Sequence, residues 1–529
     1  MSAAQAFALY DQGHTRLALS SARHVLAESG ADAELLNLVA ACHAQLGQPD
    51  EAIATWEEAI RLQPEGIDAH HNLGILFLSQ QRFREAESAC LRVLERQPDH
   101  WEALNHLGNC LNAQGRFAAA EGAYRQALAL QPDAATAHYN LGVCLRDQRR
   151  YPQAEEALRQ AHRLQPGLLP ALYNLGVLLH EQKRWAEAEA AYRQVLALDG
   201  NDAEAAWNLA LLHLALGRFT AGWPLYEARH HPTNRTALKV IPIDAPFPMW
   251  RGEAVRGKSL LIVQEQGFGD QIQFCRYLPV LRALGAGPIT LLCSAPLARL
   301  FTSLEGVTRI LVAEETGGYP EHDYWSFLLS IPWRLGTTLT TIPDALPYLR
   351  PPAERLNHWR ERLSGPEFKV GLVWRGNPAH KNDANRSLPG LSVLAPLWRV
   401  AGTRFISLQK DNGEEEAGNP PPGQPLFHPG GVLHDFAETA AVVAQLDLLI
   451  TIDSALAHLA GALGKACWVM LPDRETDYRW LQERDDSPWY PGVMRLWRQS
   501  QAGVWSDLVQ RMTTELAGLA DGHRQKSTR

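Results

Sequence analysis

The chain has 529 residues, of which 46% are hydrophobic and 20% charged, and its formal net charge at pH 7 is −8. This composition is typical of a folded globular protein with several domains, and the acidic balance disfavours a general nucleic-acid or anionic-membrane binder. The seven cysteines are odd in number and never spaced as C-x-x-C, so neither a disulfide framework nor a zinc site is expected.

No segment of the sequence suggests insertion in a membrane. The amino terminus lacks a basic region followed by a long apolar core, and no run approaches the roughly 18 apolar residues that a spanning helix needs. Together with the cysteine usage, this predicts a cytoplasmic protein without a transmembrane segment.

A period of 34 residues dominates residues 1–230. Proline keeps this spacing, and so do an alanine, an aromatic residue and triplets such as N-L-G. The prolines are Pro64, Pro98, Pro132 and Pro166, and the aromatics are Phe83, Phe117, Tyr151, Trp185 and Phe219. Such a pattern resembles the tetratricopeptide repeat, a pair of antiparallel helices. It predicts five full repeats, from 34–67 to 170–203, between a divergent copy and a partial one, stacked as a superhelix with a concave groove.

One polar position recurs in the first helix of the repeats. It is occupied by Asn72, His106, Asn140, Asn174 and Asn208. In the resembled family this position can face the groove, where a carboxamide can bind the backbone of an extended peptide with both its donor and its acceptor. The alternative is that these side chains tie the repeat's own helices together. In either case the array implies a protein partner.

After the repeats, residues 231–257 contain four prolines and no helical period, which indicates an irregular linker. Apolar strands and helices then alternate, a pattern typical of parallel sheets. Strands are predicted at 258–264, 288–294, 309–313, 368–374, 404–409, 446–452 and 466–471. Helices are predicted at 271–285, 296–304, 391–400, 436–445, 455–463 and near 502–520.

The alternation divides into two Rossmann-like halves, 258–352 and 353–529, with residues 320–352 as a connector between them. The predicted fold class is therefore α + α/β: an α-helical repeat superhelix followed by two Rossmann-like domains. Such domains bind ligands in the cleft at the carboxyl ends of their strands.

The loop at 264–274 follows the first predicted strand. Gly267 and Gly269 allow a tight turn and close approach of a ligand. Asp270 begins the next helix, where it is either an N-cap or a general base in the cleft. A dinucleotide-binding fingerprint needs a third glycine where Ile272 stands, so an oxidoreductase is disfavoured.

The loop at 374–387 is basic although the chain is acidic. It contains Arg375, His380, Lys381 and Arg386. This loop is either a solvated charged surface or, beside a helix N-terminus, an anion site. No cluster of His, Asp or Glu suggests a metal ion, and the sequence GALGK at 461–465 lacks the spacing of a phosphate-binding P-loop.

The stretch at 453–464 follows a buried strand and starts a helix. Its unpaired N–H groups and the helix dipole favour a phosphate near Asp453, Ser454 and His458. The alternative is that Asp453 or Ser454 merely caps a core helix. Because three strand ends would surround one cleft, the phosphate interpretation is favoured.

These loops resemble GT-B glycosyltransferases of the heptosyltransferase type (family nine). The motifs are GFGDQIQFCRYLP (267–279), GLVWRGNPAHKNDANRS (371–387) and DSALAHLAGALGK (453–465). The combination with repeats is similar to bacterial enzymes that modify flagellin and, in architecture, to O-GlcNAc transferases. One departure is Ala455-Leu456, where the family often has Gly-Pro, so contacts to the donor can differ.

The resemblance implies an inverting, metal-independent transfer from a nucleotide-activated sugar, the co-substrate, with no cofactor. Asp270 would be the base, and Lys381 with Arg386 would offset charge on the departing phosphate. The implied donor-binding residues are Gly267, Gly269, Arg375, His380, Arg386, Asp453, Ser454 and His458. The 258–352 half would take the acceptor, and the 353–529 half the nucleotide sugar.

The predicted function is therefore protein O-glycosylation of Ser or Thr on a client, such as flagellin, bound by the repeats. Two alternatives remain open. One is a non-catalytic repeat adaptor with a relic α/β region. The other is a transferase that builds a polysaccharide or a lipid-linked glycan.

Overall fold

The computed structural model describes residues 2–235, 244–313 and 318–527. Residues 236–243 of the predicted linker, 314–317 of the first α/β half and 528–529 at the end of the second lie outside the described residues. The chain divides into two compact units, Met1–Gly200, here called the repeat array, and Asn201–Arg529, here called the α/β unit.

The repeat array is a tetratricopeptide superhelix of antiparallel helix pairs. Its helices are α1 (Ala3–Asp11), α2 (Thr15–Ser29), α3 (Ala33–Gln45), α4 (Pro49–Leu62), α5 (Ile67–Ser79), α6 (Phe83–Arg96), α7 (Trp101–Ala113), α8 (Phe117–Leu130), α9 (Ala135–Asp147), α10 (Tyr151–Leu164), α11 (Leu169–Glu181) and α12 (Trp185–Leu198). The second helices α4, α6, α8 and α10 each end two residues before a repeat proline, whose missing N–H cannot continue them.

The glycine of the repeated triplets, such as N-L-G, lets the two helices of a repeat approach closely. A Cβ built on Gly108 would lie 2.4 Å from the Tyr124 ring, and one built on Gly176 would lie 2.7 Å from the Tyr192 ring. Both tyrosines are buried. Any side chain at these glycines would force the helix pair apart, which explains why the triplet keeps its phase.

A ladder of ion pairs, which the sequence analysis did not foresee, joins successive repeats. In each step a glutamate of a second helix accepts from an arginine 29 residues later, just before the next second helix. The pairs are Glu87–Arg116, Glu121–Arg150 and Glu155–Arg184, each with an N–O distance of 2.6 Å. Because these glutamates are mostly shielded from water, the pairs fix the register of one repeat on the next.

The α/β unit begins with two helices that continue the repeat pattern, α13 (Ala203–Ala215) and α14 (Phe219–Tyr226). Trp223 and Tyr226 of α14 are buried in one hydrophobic core with strands of the first sheet. Arg229, just after α14, forms a fully buried ion pair with Glu265 at the end of the first strand, with an Nε–Oε2 distance of 2.9 Å. This helical pair is therefore part of the α/β core.

The first sheet has four parallel strands in the order β3-β2-β1-β4. They are β1 (Leu260–Val263), β2 (Ile289–Cys293), β3 (Arg309–Val312) and β4 (Tyr324–Phe327). The associated helices are α15 (Phe268–Phe274), α16 (Tyr277–Ala283), α17 (Ala295–Phe301) and α18 (Ile331–Arg334). β4 lies inside the stretch predicted as a connector, and it pairs directly with β1. That part of the prediction was wrong.

The helix predicted at 271–285 is two helices. Pro279 lacks the N–H that would bond to the carbonyl of Cys275, and the chain breaks between α15 and α16 at that point. The stretch predicted as a helix at 391–400 is a 3-10 segment, Leu391–Arg399, with Pro396 inside it. Both differences follow from prolines that the periodicity alone did not weigh.

The second sheet has five parallel strands in the order β6-β5-β7-β8-β9. They are β5 (Phe368–Val373), β6 (Thr403–Ser407), β7 (Leu448–Ile452), β8 (Cys467–Leu471) and β9 (Met494–Arg498). The associated helices are α19 (Ala353–Arg362), α20 (Asp383–Arg386), α21 (Glu414–Gly418), α22 (Phe436–Val443), α23 (Ala455–Ala462) and α24 (Ser506–Ser527). No helix among the described residues is long and apolar enough to cross a bilayer.

Candidate functional site

The loops after β1, β5, β7 and β8 meet at the carboxyl ends of their strands. The start of α15 packs on the start of α23, and glycine makes this approach possible. A Cβ built on Gly269 would lie 2.9 Å from Cδ2 of His458 and 3.4 Å from Cα of Ala455. The sequence prediction that these loops share one region of the fold is consistent with this geometry.

Asp270 has two roles in its present position. Its Oδ2 accepts a hydrogen bond, at 2.8 Å, from the N–H of Gly267, which is the N-cap of α15. Its Oδ1 forms an ion pair with the guanidinium of Arg479. Burial raises the pKa of the Asp270 carboxyl, and Asp477 raises it further, while Arg479 lowers it. Asp270 is therefore not the N-cap that the sequence suggested, because Gly267 holds that position and Asp270 bonds back to it from the first turn. The base role stays a prediction, and the carboxylate has a cation as its partner.

Arg479 lies in the loop after β8, which the sequence analysis did not single out. Its Nη1 bonds to both carboxylate oxygens of Asp477, at 2.9 and 2.8 Å, and its Nη2 bonds to Asp270. The guanidinium also lies over the Tyr478 ring, 4.4 Å from its centroid. The signal that could have found it is the charged and aromatic run Asp477–Trp480, shortly after a buried strand.

The same loop contacts the basic loop after β5. Asn382 donates from Nδ2 to the carbonyl of Glu475 at 2.8 Å, and Asn385 donates to the Glu475 carboxylate at 3.3 Å. The loop from 472 to 481 therefore bonds to the loops after both β1 and β5.

Arg386 is the cation of the basic loop that reaches the turn after β7. Its Nη1 donates to the carbonyl of Asp453 at 3.2 Å, and its Nε lies 3.3 Å from Asp383 Oδ1. Arg375 is directed elsewhere, towards the carboxylate of Glu416 at 2.9 Å and the Pro389 carbonyl.

The other two basic residues of this loop, His380 and Lys381, are exposed. Burial of part of the imidazole and the nearby Arg386 lower the pKa of His380. The structure thus brings Arg386 into hydrogen-bonding contact with the turn after β7.

At the start of α23, Ser454 is the N-cap, and its Oγ accepts from the Leu456 N–H at 3.3 Å. Asp453 precedes it, and its side chain is half-buried. Burial and the neighbouring Asp477 raise the pKa of the Asp453 carboxyl to about 6, although Arg386 and Arg479 oppose the shift. Of the two residues that the sequence offered as a cap, Ser454 is therefore the one that caps α23.

His458 is held on two sides by aromatic side chains. Its ring stacks on Trp480, with centroids 5.1 Å apart and planes at 15°, and its Nδ1 lies 3.0 Å from the Tyr490 hydroxyl. The imidazole is 5% exposed, and burial holds its pKa well below the usual value. His458 is therefore a neutral core residue in this arrangement.

The charges of this region do not balance. Asp270, Asp453 and Asp477 lie around two guanidinium groups, those of Arg386 and Arg479. Arg479 is shared by two of the carboxylates, and Arg386 has the Asp383 carboxylate as a further neighbour. Among the described residues, no group of three or more His, Cys, Asp or Glu is arranged to hold a metal ion. Any anionic ligand must therefore compete with carboxylates already in place.

The residues at the recurring polar position of the repeats, predicted to bind a peptide, form hydrogen bonds mainly within the protein. Asn72 and Asn140 each donate from Nδ2, at 3.0 Å, to an asparagine of the preceding repeat, Asn37 and Asn105 respectively. These bonds join neighbouring repeats rather than the two helices of one repeat. Within the described residues, no protein donor bonds to Oδ1 of Asn72 or of Asn140.

The other three residues at this recurring position have different partners. Asn174 accepts from Arg146 at 2.7 Å and donates to the Pro170 carbonyl at 2.9 Å. The ring of His106 lies 5.5 Å from that of His71, and burial lowers the pKa of His106 to about 4. Asn208, on α13 of the α/β unit, donates to the Glu204 carbonyl of its own helix at 3.0 Å.

Comparison with known proteins identifies the repeats directly. Models of the tetratricopeptide repeat match residues 43–81, 71–124, 113–168 and 170–202. Among solved structures, PilF of Pseudomonas aeruginosa is 20% identical, covering 38% of this chain and 93% of that one with a TM-score of 0.33. MamA of Desulfovibrio magneticus is 21% identical, covering 33% and 98%, with a TM-score of 0.30.

One curated relative is similar over a longer stretch. Protein FlbA of Caulobacter vibrioides is 31% identical over 333 residues, which is 59% of this chain. The chain spans 54% of the length of FlbA. The match covers more residues than the repeats contain, so it includes part of the α/β unit.

Proposed function

We propose that this protein is an inverting, metal-independent O-glycosyltransferase of the GT-B class. It would move a sugar from a nucleotide-activated donor to Ser or Thr of a client bound by the repeats, and flagellin is the first client to test. The observation that carries the proposal is the position of Asp270, a carboxyl at the meeting point of strand ends from two parallel sheets, beside the guanidinium of Arg479.

In the proposed reaction, the acceptor hydroxyl attacks the anomeric carbon of the donor from the face opposite the nucleotide. Asp270 takes the hydroxyl proton, and the bond between the sugar and the phosphate breaks with its electrons on the phosphate. Arg386 and Lys381 offset the charge that develops there, as fixed cations can in place of a metal ion. One displacement gives inversion at the anomeric carbon.

The raised pKa of Asp270 supports the base role, because a carboxylate that is costly to keep ionised accepts a proton more readily. Arg386 supports the phosphate side, since it already bonds to the turn that starts α23. A helix N-terminus and an arginine are a favourable combination for phosphate oxygens. Asp453 and Ser454 form that turn.

Client binding is assigned to the repeats, because stacked repeats bind other chains rather than perform chemistry. Asn72 and Asn140 have one amide oxygen each without a protein donor, and such an oxygen can accept a backbone N–H of an extended peptide.

A non-catalytic adaptor is the second candidate, and one observation favours it. The Asp270 carboxylate is in an ion pair with Arg479, which lowers its availability as a base. A transferase that builds a polysaccharide or lipid-linked glycan differs only in the acceptor.

The test is the intact mass of a candidate client incubated with the full chain and UDP-, GDP- or CMP-sugars. We expect a sugar-sized mass increase with the wild-type protein and a loss of about a hundredfold or more in rate for Asp270→Asn. Asp521→Asn, which removes a carboxylate from an exposed ion pair with Arg524 on α24, is the matched control and should behave as wild type.

The outcomes separate the candidates. No mass change with any donor would favour the adaptor. Unchanged transfer by Asp270→Asn would remove Asp270 as the base. Transfer to lipid-linked or soluble glycans but not to protein would favour the glycan transferase.

A further inference from the structure

Arg479 is a buried cation whose hydrogen-bonding capacity is not used up. The residue is 6% exposed, and two of its nitrogens bond to carboxylates. Its Nε is buried and has no hydrogen-bond partner. A guanidinium has five N–H donors in one plane, so an unsatisfied Nε among the loops at the strand ends is a donor available for a ligand oxygen.

The two carboxylates on Arg479 are not held equally. Asp477 is two residues away, chelates Nη1 with both of its oxygens and also accepts from the Arg479 backbone N–H at 2.9 Å. Asp270 contacts only Nη2, through one oxygen, and its second oxygen has the Gly267 N–H as an independent partner. Leaving the guanidinium costs Asp270 one hydrogen bond and would cost Asp477 two, so Asp270 is the carboxylate that is more easily displaced.

An anion that enters this region meets three carboxylates and two guanidinium groups, as described above. Adding a diphosphate without removing a carboxylate would bring like charges together in a poorly hydrated site, which is unfavourable. Displacing one carboxylate from an arginine removes this conflict. A diphosphate can then use Nη2 and the unpartnered Nε of Arg479 together, in the two-point geometry that guanidinium groups favour.

We propose that Arg479 is the centre of a diphosphate site, and that the bound diphosphate replaces Asp270 as the partner of Nη2. This inference deepens the proposed function and rests on it for its consequence in catalysis. In the free protein the ion pair holds Asp270 away from acceptors, and the donor's diphosphate releases its carboxylate. Donor binding would then precede acceptor binding, and the ion pair that favours the adaptor becomes the resting state of a transferase.

If a diphosphate replaces Asp270 on Arg479, removing the Asp270 carboxylate should strengthen anion binding. Asp270→Asn leaves an amide oxygen that can still accept from Gly267 but no charge to compete for Arg479. We expect pyrophosphate, titrated by calorimetry into the full chain at pH 8, to bind Asp270→Asn about tenfold more tightly than wild type. Asp521→Asn, with the same change in net charge at an exposed pair, is expected to bind as wild type does.

Two further variants test the cation. Arg479→Gln is expected to weaken pyrophosphate binding at least tenfold. Arg479→Lys keeps the charge but loses the planar fork, and its affinity should lie between those of wild type and Arg479→Gln. If Arg479→Gln does not fold, the comparison of Asp270→Asn with wild type and with Asp521→Asn still decides the question.

Equal or weaker binding by Asp270→Asn than by wild type would overturn the exchange, and so would an equal gain in Asp521→Asn. Pyrophosphate that binds neither wild type nor Asp270→Asn would overturn the site itself. The client mass assay decides the transferase proposal separately. Sugar transfer by wild type together with unchanged pyrophosphate affinity in Asp270→Asn would leave the function standing and remove only this inference.

Discussion

Gly269 gives the imidazole of His458 the space that it occupies. A Cβ at position 269 would lie 2.9 Å from Cδ2 of His458, a separation that requires one of the two helices to move. Because His458 is fixed by Trp480 and Tyr490, we expect the backbone of α15 to shift in Gly269→Ala. The expected cost is about 1–3 kcal/mol in the free energy of unfolding, measured with urea, as for other overpacked sites.

Gly267 is the matched control for this prediction. It belongs to the same turn, its φ of −81° suits any residue, and an added Cβ would meet only Asp270 Oδ2, at 3.3 Å. Gly267→Ala should change the free energy of unfolding by no more than about 0.5 kcal/mol. Equal costs for the two variants would show that the contact with His458 does not limit position 269.

Asp453 makes the α/β unit sensitive to pH. Its pKa is raised from 3.8 to about 6 by burial and by Asp477, so folding disfavours the ionised form. Below pH 3.8 the carboxyl is neutral in both states and its burial costs no stability. The free energy of unfolding then falls as the pH rises from 3.8 through 6. The full loss would be about 3 kcal/mol, and we expect about 1–2 kcal/mol because the side chain is partly exposed.

Asp453→Asn removes this titration and keeps the size of the side chain. Relative to wild type, the variant should gain about 1–2 kcal/mol in the free energy of unfolding at pH 8 and little at pH 4. Urea titrations of both proteins at the two pH values measure the difference. A gain of the same size at pH 4 and pH 8 would mean that ionisation of Asp453 is not its cause.

The sequence predicted most of the fold because two periodicities are strong. The 34-residue repeat fixed the ends of the helices through the prolines, and continuous apolar runs identified seven of the strands. β4 was not predicted because its four residues, Tyr324–Phe327, lie in an aromatic and proline-rich stretch. β9, Met494–Arg498, alternates with arginines at a sheet edge and has no continuous apolar run.

For the candidate site, the strand-end rule brought Asp270, Arg386 and Asp453 into one region. It could not find Arg479, because this residue lies eight positions beyond the end of β8, in a loop without a repeating pattern. Nor could it show that His458 lies between aromatic rings, since its partners Trp480 and Tyr490 are distant in sequence. Pairings of this kind depend on three-dimensional packing and have no local signal.

The ion-pair ladder predicts a difference between two glutamates that share one arginine. Arg184 bonds to Glu155 of the preceding repeat and to Glu187 of its own helix, each with an N–O distance of 2.6 Å. Glu155 is 11% exposed and Glu187 is 51% exposed. Glu155→Gln should cost about 1–3 kcal/mol in the free energy of unfolding, because the shielded Glu155 carboxylate pairs with both Arg184 and Arg159 and a neutral amide does not replace these charged hydrogen bonds.

Glu187→Gln is the matched control, with the same chemical change at an exposed position, and should cost clearly less than Glu155→Gln because water screens this pair. Urea unfolding of the full chain, followed by far-ultraviolet circular dichroism, measures both. If Glu187→Gln is the more destabilising variant, the ladder does not hold the repeats in register.

His106 predicts a loss of stability of the repeat array in acid. Burial lowers the pKa of its imidazole to about 4, with His71 as the nearest cation-forming neighbour. The stability that the neutral ring contributes is therefore fully present above pH 6.5, its pKa in the unfolded chain. The free energy of unfolding falls as the pH falls from there towards 4.

His106→Asn places the residue of the neighbouring repeats at this position and removes the titration. Its stability relative to wild type should rise by about 1–2 kcal/mol between pH 8 and pH 5, measured as the change in free energy of unfolding. A difference that stays constant over this range would show that folding does not lower the pKa of His106.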